Sequence, residues 1–209
     1  RQRQMCIRDR AYFMRGYSGD VCQQAGNVVD ATMRTYREAM KGLLPTPSKS
    51  HYTFNLRDFS RVVQGVLLQA PSGEFANKSS VMRLWTHEAL RVFGDRLTDD
   101  NDRKWMCGHA ATMCKEIFRC DFQSEFEHIR PAEETKPGYG TLRRLFWGDY
   151  MTPADEDDRP YVEVRDLQLL QNRTEDSLAE FNQTSKKPME LVMFMFAIEH
   201  VSRIARVLR

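Results

Sequence analysis

The chain has 209 residues, 41% hydrophobic and 29% charged, with 31 basic against 29 acidic side chains and a net charge of +2. That is the balance of a soluble globular domain, or of two small ones, and the interspersed charges offer no clustered basic face for nucleic acid. The longest apolar stretch, Leu191 to Ile198, is far too short to span a bilayer. No basic start, apolar run and small-residue cleavage site occur together, so neither membrane insertion nor secretion is expected. The sequons at Asn77, Asn172 and Asn182 are then expected to stay unmodified.

Residues 1–10, RQRQMCIRDR, have no apolar period and resemble translated adapter sequence; they are set aside from the fold. Asp20 suits the N-cap of a helix from Val21 to Leu44, with Val21, Ala25, Val28, Thr32, Tyr36, Ala39 and Leu43 on one stripe. Pro45 and Pro47 end it. A second helix follows Asn55, carrying Leu56, Phe59, Val62, Val63, Val66 and Leu67 inward, and stops in the turn segment Ala70 to Gly73. Ser79 or Ser80 caps a third, with Val81, Leu84, Trp85, Ala89, Val92 and Phe93 on its buried side. A fourth runs from about Asp102 to Phe118.

After Phe118 the pattern weakens through the Pro and Gly signals of Pro131 to Gly140, and the acidic stretch Pro153 to Pro160 reads as an exposed connector. Tyr161 to Val164 is the one extended piece. Two more helices are expected, from about Val164 to Asn182 and from Pro188 onward, with Pro188 in a first turn. The last is still periodic at Arg209, as in a chain cut within or just after a helix. The fold class that follows is all-α.

The five cysteines, Cys6, Cys22, Cys107, Cys114 and Cys120, form no CxxC pair. Cys107, His109, Cys114 and Cys120 match no standard zinc spacing, and core packing is the expected role of the helical thiols. There is no GxxxxGK[ST] loop to wrap a nucleotide's phosphates and no GxSxG elbow. His87-Glu88 begins like a zincin, but Arg91 stands where the second ligand belongs; Glu88 with Arg83 or Arg91 reads as a helical ion pair.

In FNLRDFSR, Arg57 falls in the first turn of the second helix, with Arg61 one turn on. A cation there meets the positive end of the helix dipole, which costs about 0.3–1 kcal/mol without compensation. Asp58 is the residue that suits this turn. Arg57 therefore either pairs with a nearby acid or awaits an external anion, for which a phosphate suits the guanidinium fork.

Leu43 to Gly65, LLPTPSKSHYTFNLRDFSRVVQG, resembles the stretch leading into the lid of the third AAA+ module of axonemal dynein heavy chains. Leu84 to Leu97, LWTHEALRVFGDRL, resembles a later helix of that lid. Pro188 to Leu208, PMELVMFMFAIEHVSRIARVL, is similar to the segment before the phosphate-binding loop of the fourth module. The resemblance implies that residues 11–44 end a large subdomain, 45–150 form the helical lid, 151–160 link, and 161–209 open the next module.

It also implies that Arg57 is the lid arginine reaching toward a terminal phosphate, and that Leu191 and Val192 lie where the next module's N-terminal loop approaches adenine. Ordinary helix core is the alternative for those two. His51, Tyr52 and His200 are expected to pack only. The parent protein would then be an ATP-driven, minus-end-directed microtubule motor of the ciliary axoneme, using ATP/ADP with Mg and working with adjacent AAA+ modules and with dynein intermediate and light chains. The missing phosphate loop and metal-binding acid leave the segment no catalysis of its own. A stand-alone helical interaction module is the other reading, separated from the first only by these motif strings.

Overall fold

The computed structural model describes residue 17 and residues 19–69, 77–152 and 159–208. Residues 1–10, the turn Ala70–Gly73 and most of the acidic connector lie outside the described residues. The chain forms two compact units, divided between Leu142 and Arg143. The described residues are mostly helical, as the periodicity predicts.

In the first unit α1 (Gly19–Gly42) buries Val21, Ala25, Val28, Ala31, Thr32, Thr35 and Ala39. Small residues at helical spacing let it approach α2 (Leu56–Val66) and α3 (Lys78–Val92), both of which it packs against. α2 buries Phe59, Val62, Val63 and Val66, but Leu56 is exposed rather than inward. The capping residue of α3 is Asn77, not Ser79 or Ser80: its Oδ1 accepts from the Ser80 amide at 2.8 Å. The serines occupy the first turn instead.

α3 is the central element, and it is enclosed on every side. All residues from Ser80 to Leu90 are buried, so its polar members need partners inside the unit. Arg83 donates to Glu125 at 2.9 Å, the Thr86 hydroxyl to the Met82 carbonyl, and His87 Nδ1 lies 3.1 Å from Glu88 Oε1. Arg91 pairs with Asp95 one turn on, at 3.4 Å. Trp85 is fully buried and donates to Thr32 on α1 at 3.0 Å. Phe93 is fully buried as well, its ring centre 5.6 Å from that of Phe54.

α4 (Asp100–Glu116) is capped by Asp99 and followed by the short α5 (Phe122–Phe126) and α6 (Tyr139–Arg143). The Pro/Gly segment between them is organised by one carboxylate. Glu134 accepts from the amides of Gly138, Gly140 and Thr141 and from the Thr141 hydroxyl at 2.6 Å. Gly140 permits that approach, since a Cβ there would sit 2.4 Å from Glu134 Oε1.

The second unit contains the only sheet among the described residues. β1 (Phe146–Gly148) pairs antiparallel with β2 (Val162–Val164), Trp147 facing Glu163. Tyr161 to Val164 was the extended piece expected; its partner carries no alternation long enough to read. α7 (Leu167–Thr184) is capped by Asp166, and α8 spans Met195–Leu208. Phe146, Val164, Leu170, Met193 and Ile198 form the core.

The helix expected from Pro188 begins later: residues 188–194 are not helical. Asn182 explains this locally, because its side-chain amide both donates to the Met189 carbonyl and accepts from the Met189 amide, each at 2.9 Å. Those bonds hold the chain out of helical geometry. On α8 the buried Glu199 is gripped by Arg143 and Arg203.

Replacing Asn77 by Ala should lower the first unit's stability by about 1 kcal/mol, the usual value of an N-cap. Phe59→Ala should cost about 3–5 kcal/mol, while Leu56→Ala should stay within about 0.5 kcal/mol. Urea unfolding of the three variants checks the order.

Candidate functional site

The segment before α2 is pinned down residue by residue. Lys49 ends a short 3-10 turn, Pro47–Lys49, and its ammonium reaches Asp102 at 2.5 Å and Asp99 at 3.2 Å. Those bonds hold its pKa above the usual lysine value, with the Asp102 hydrogen bond the largest cause. Tyr52 is buried; its hydroxyl donates to Asp102 at 2.9 Å and accepts from the Thr98 amide at 3.1 Å. His51 Nε2 lies 2.8 Å from the Arg96 carbonyl, to which it can only donate. The roles expected of His51 and Tyr52 as packing residues therefore become specific ones: they fasten this segment to the start of α4 and the turn before it.

α2 then opens with a reciprocal capping box. Asn55 Oδ1 accepts from the Arg57 amide at 2.8 Å, and the Asn55 amide donates to Asp58 Oδ2 at 2.9 Å. Asp58 is 1% exposed. Its carboxylate takes both guanidinium nitrogens of Arg96, Nη1 at 3.2 Å to Oδ2 and Nη2 to Oδ1. Arg96 also donates to the Thr53 carbonyl and lies over the Phe54 ring, 5.5 Å from its centre. Arg61 stands 3.8 Å from the same carboxylate.

Arg57 is treated differently. Its side chain is exposed and has no hydrogen bond, ion pair or ring contact among the described residues. The nearby acid that could have neutralised it, Asp58, is committed to Asn55 and Arg96. The two alternatives left open by spacing are thereby narrowed, since no acid among the described residues claims Arg57.

In the second unit Leu191 and Val192 are 55% and 81% exposed and lie in the non-helical stretch before α8. They are not helix core. They sit beside further exposed apolar residues, Phe194 and Phe196. His200 packs edge-on against Phe196 with ring centres 4.4 Å apart.

The family described as "Dynein heavy chain, ATPase lid domain" matches residues 12–103. The human protein "Dynein axonemal heavy chain 12" is 46% identical over 183 residues, 87% of this chain and 6% of that one. Human "Dynein axonemal heavy chain 3" is 43% identical over 198 residues, 95% of this chain and 5% of that one. Human "Dynein axonemal heavy chain 6" is 36% identical over 198 residues, 94% and 4% respectively. The chain belongs to the axonemal dynein heavy chain family. It spans only about a twentieth of the length of these relatives.

Among the described residues of this dynein segment no three His, Cys, Asp or Glu side chains are grouped to hold an ion. Cys6 lies outside the described residues. Burial pushes the Cys107 thiol up to about 11 and the Cys114 thiol to about 12, so both stay protonated and unreactive near neutrality. No helix among the described residues is long and apolar enough to cross a membrane. His109 stacks on Trp105 at 5.3 Å and bonds Thr35 on α1 at 3.1 Å. Burial lowers its pKa below 6.5, against the opposing pull of Glu38 and Glu116.

Two outcomes follow for the dynein segment. Asp58→Ala removes one half of the capping box and the carboxylate opposite Arg96, which should cost about 2–4 kcal/mol; Arg57→Ala should stay within about 0.5 kcal/mol, as at an ordinary surface site. Chemical denaturation separates the pair. For His109 the folded pKa is the lower one, so the unfolded chain binds the proton more tightly. Stability is then full above about pH 6.5 and declines as the pH falls through and below that value. His109→Gln should flatten this part of the melting-temperature profile.

Proposed function

We propose that this chain contributes the nucleotide-sensing lid of an ATP-driven microtubule motor. The first unit carries the lid of the third AAA+ module, and the second opens the fourth. The single observation that carries the reading is the contrast inside α2's first turn. Asp58 is buried and engaged, while the adjacent Arg57 presents at the positive end of the helix a guanidinium with no partner among the described residues. A cation held there without a protein partner suits an anion from outside the unit, and the planar fork matches two oxygens of a terminal phosphate.

In this reading Arg57 distinguishes triphosphate from diphosphate by charge, and the pinned segment before α2 passes the difference to the lid as a whole. Leu191 and Val192 offer the adenine of the next module an apolar surface, in keeping with their exposure ahead of α8. Residues of this chain supply no phosphate loop and no metal-binding acid, so the rest of the heavy chain holds Mg and cleaves the ATP. The working place is the ciliary axoneme, on microtubules, with the other dynein subunits.

Purified alone, the segment should show no magnesium-dependent ATP turnover above a contaminant control. In the intact heavy chain, Arg57→Ala should weaken discrimination between ATP and ADP at the third module and slow microtubule gliding. Arg61→Ala, one turn on, should do neither. Equal effects of the two substitutions would remove the special status of Arg57.

A further inference from the structure

Arg96 lies 39 positions after Arg57 in the sequence and at the end of a 3-10 turn, Gly94–Arg96, that follows α3. Every group it touches in the segment before α2 bears on Arg57's placement. Its carbonyl receives His51, and its guanidinium donates to the Thr53 carbonyl and to both oxygens of Asp58. Its cationic plane also covers Phe54. These contacts fall between residues 51 and 58, the run that carries the chain into Arg57's own turn.

A helix's first turn is its least constrained, because its amides have no intrahelical acceptors. Here Asn55 and Asp58 close it, and Asp58 can close it only while its charge is matched, since a buried carboxylate without a partner is costly. Arg96 supplies that match, and its fork geometry also fixes the angle of the carboxylate. The direction in which the neighbouring Arg57 leaves the helix is thus set from the far end of α3.

We propose that Arg96 is a positioning residue for Arg57, holding the sensing arginine at the height and angle at which it meets a terminal phosphate. The inference rests on the reading of Arg57 given above. It adds that α3's C-terminal end and α2's first turn move as one piece, so a displacement of α3 is read out at the phosphate. Arg96 itself does not touch nucleotide.

The test uses the full-length heavy chain containing this segment, with nucleotide binding disabled at the other modules. ATP and ADP are titrated in the presence of magnesium against the parent, Arg57→Ala, Arg96→Met, Arg96→Lys and the Arg57→Ala/Arg96→Met double variant. Arg96→Met should lower the preference for ATP over ADP by about tenfold, within the usual range of coupling between linked sites. ADP affinity should remain within about twofold.

The double variant should lose no more preference than Arg57→Ala alone, because both changes remove the same interaction. Arg96→Lys, which keeps a charge opposite Asp58 but cannot bridge to Thr53, should recover the melting temperature and only part of the preference. If Arg96→Met does not fold, this variant decides alone. A purely structural Arg96 would weaken ATP and ADP equally, in step with the melting temperature, and that result overturns the proposal. So does an unchanged preference in a folded Arg96 variant where Arg57→Ala lowers it. An unchanged preference in Arg57→Ala instead overturns the reading of Arg57, and with it the ground for Arg96.

Discussion

A carboxylate taken almost wholly out of water obliges its surroundings to answer for its charge, and Asp58 imposes that obligation on the first unit. It accepts from the Asn55 amide and from both terminal nitrogens of Arg96. Those bonds join three pieces of chain: the segment before α2, the first turn of α2, and the turn beyond α3. Lys49 and Tyr52 continue the same seam onto Asp102 at the start of α4. Apolar burial gives this unit its stability, but burial alone is tolerant of sliding. The polar seam fixes which turn of each helix meets which.

The seam is built from charge-assisted bonds that are only partly exposed, where they are worth more than at a free surface. Its arrangement also separates two cations that look alike in sequence. Arg96 is absorbed into the fold and Arg57 is left over. That division of labour follows from geometry: Arg96 and the Asn55 amide reach Asp58 at bonding distance, with Arg61 standing off at 3.8 Å.

Much of this was legible in the sequence, and the failures have physical reasons. Asn55 as a cap, the apolar stripe of α2 and the order of helices follow from local rules. α3 defied its one-sided pattern because Arg83, Thr86, His87 and Glu88 are buried with partners drawn partly from distant segments, such as Glu125, which periodicity cannot supply. The start of α8 was misplaced because Pro188 fits a first turn, whereas a single side chain, Asn182, ties down the Met189 backbone from seven residues earlier.

The partner of Asp58 was not legible at all, since nothing in the string LWTHEALRVFGDRL marks Arg96 apart from its charge. Arg57, by contrast, stood out locally through its placement against the helix dipole. That no described residue pairs with it emerged only once Asp58 was found occupied.

α8 turns Ile198 and Ser202 into the second unit, yet Val201, Ile204, Val207 and Leu208 stand exposed on its remaining surface. Together with Leu191, Val192, Phe194 and Phe196, they leave this unit without a properly wetted side along its last helix. In a test tube such a helix acts as an adhesive. Samples of the segment should therefore be handled dilute, and solubilising substitutions belong at Val201 and Ile204, which are 46% and 58% exposed, rather than along the buried α3.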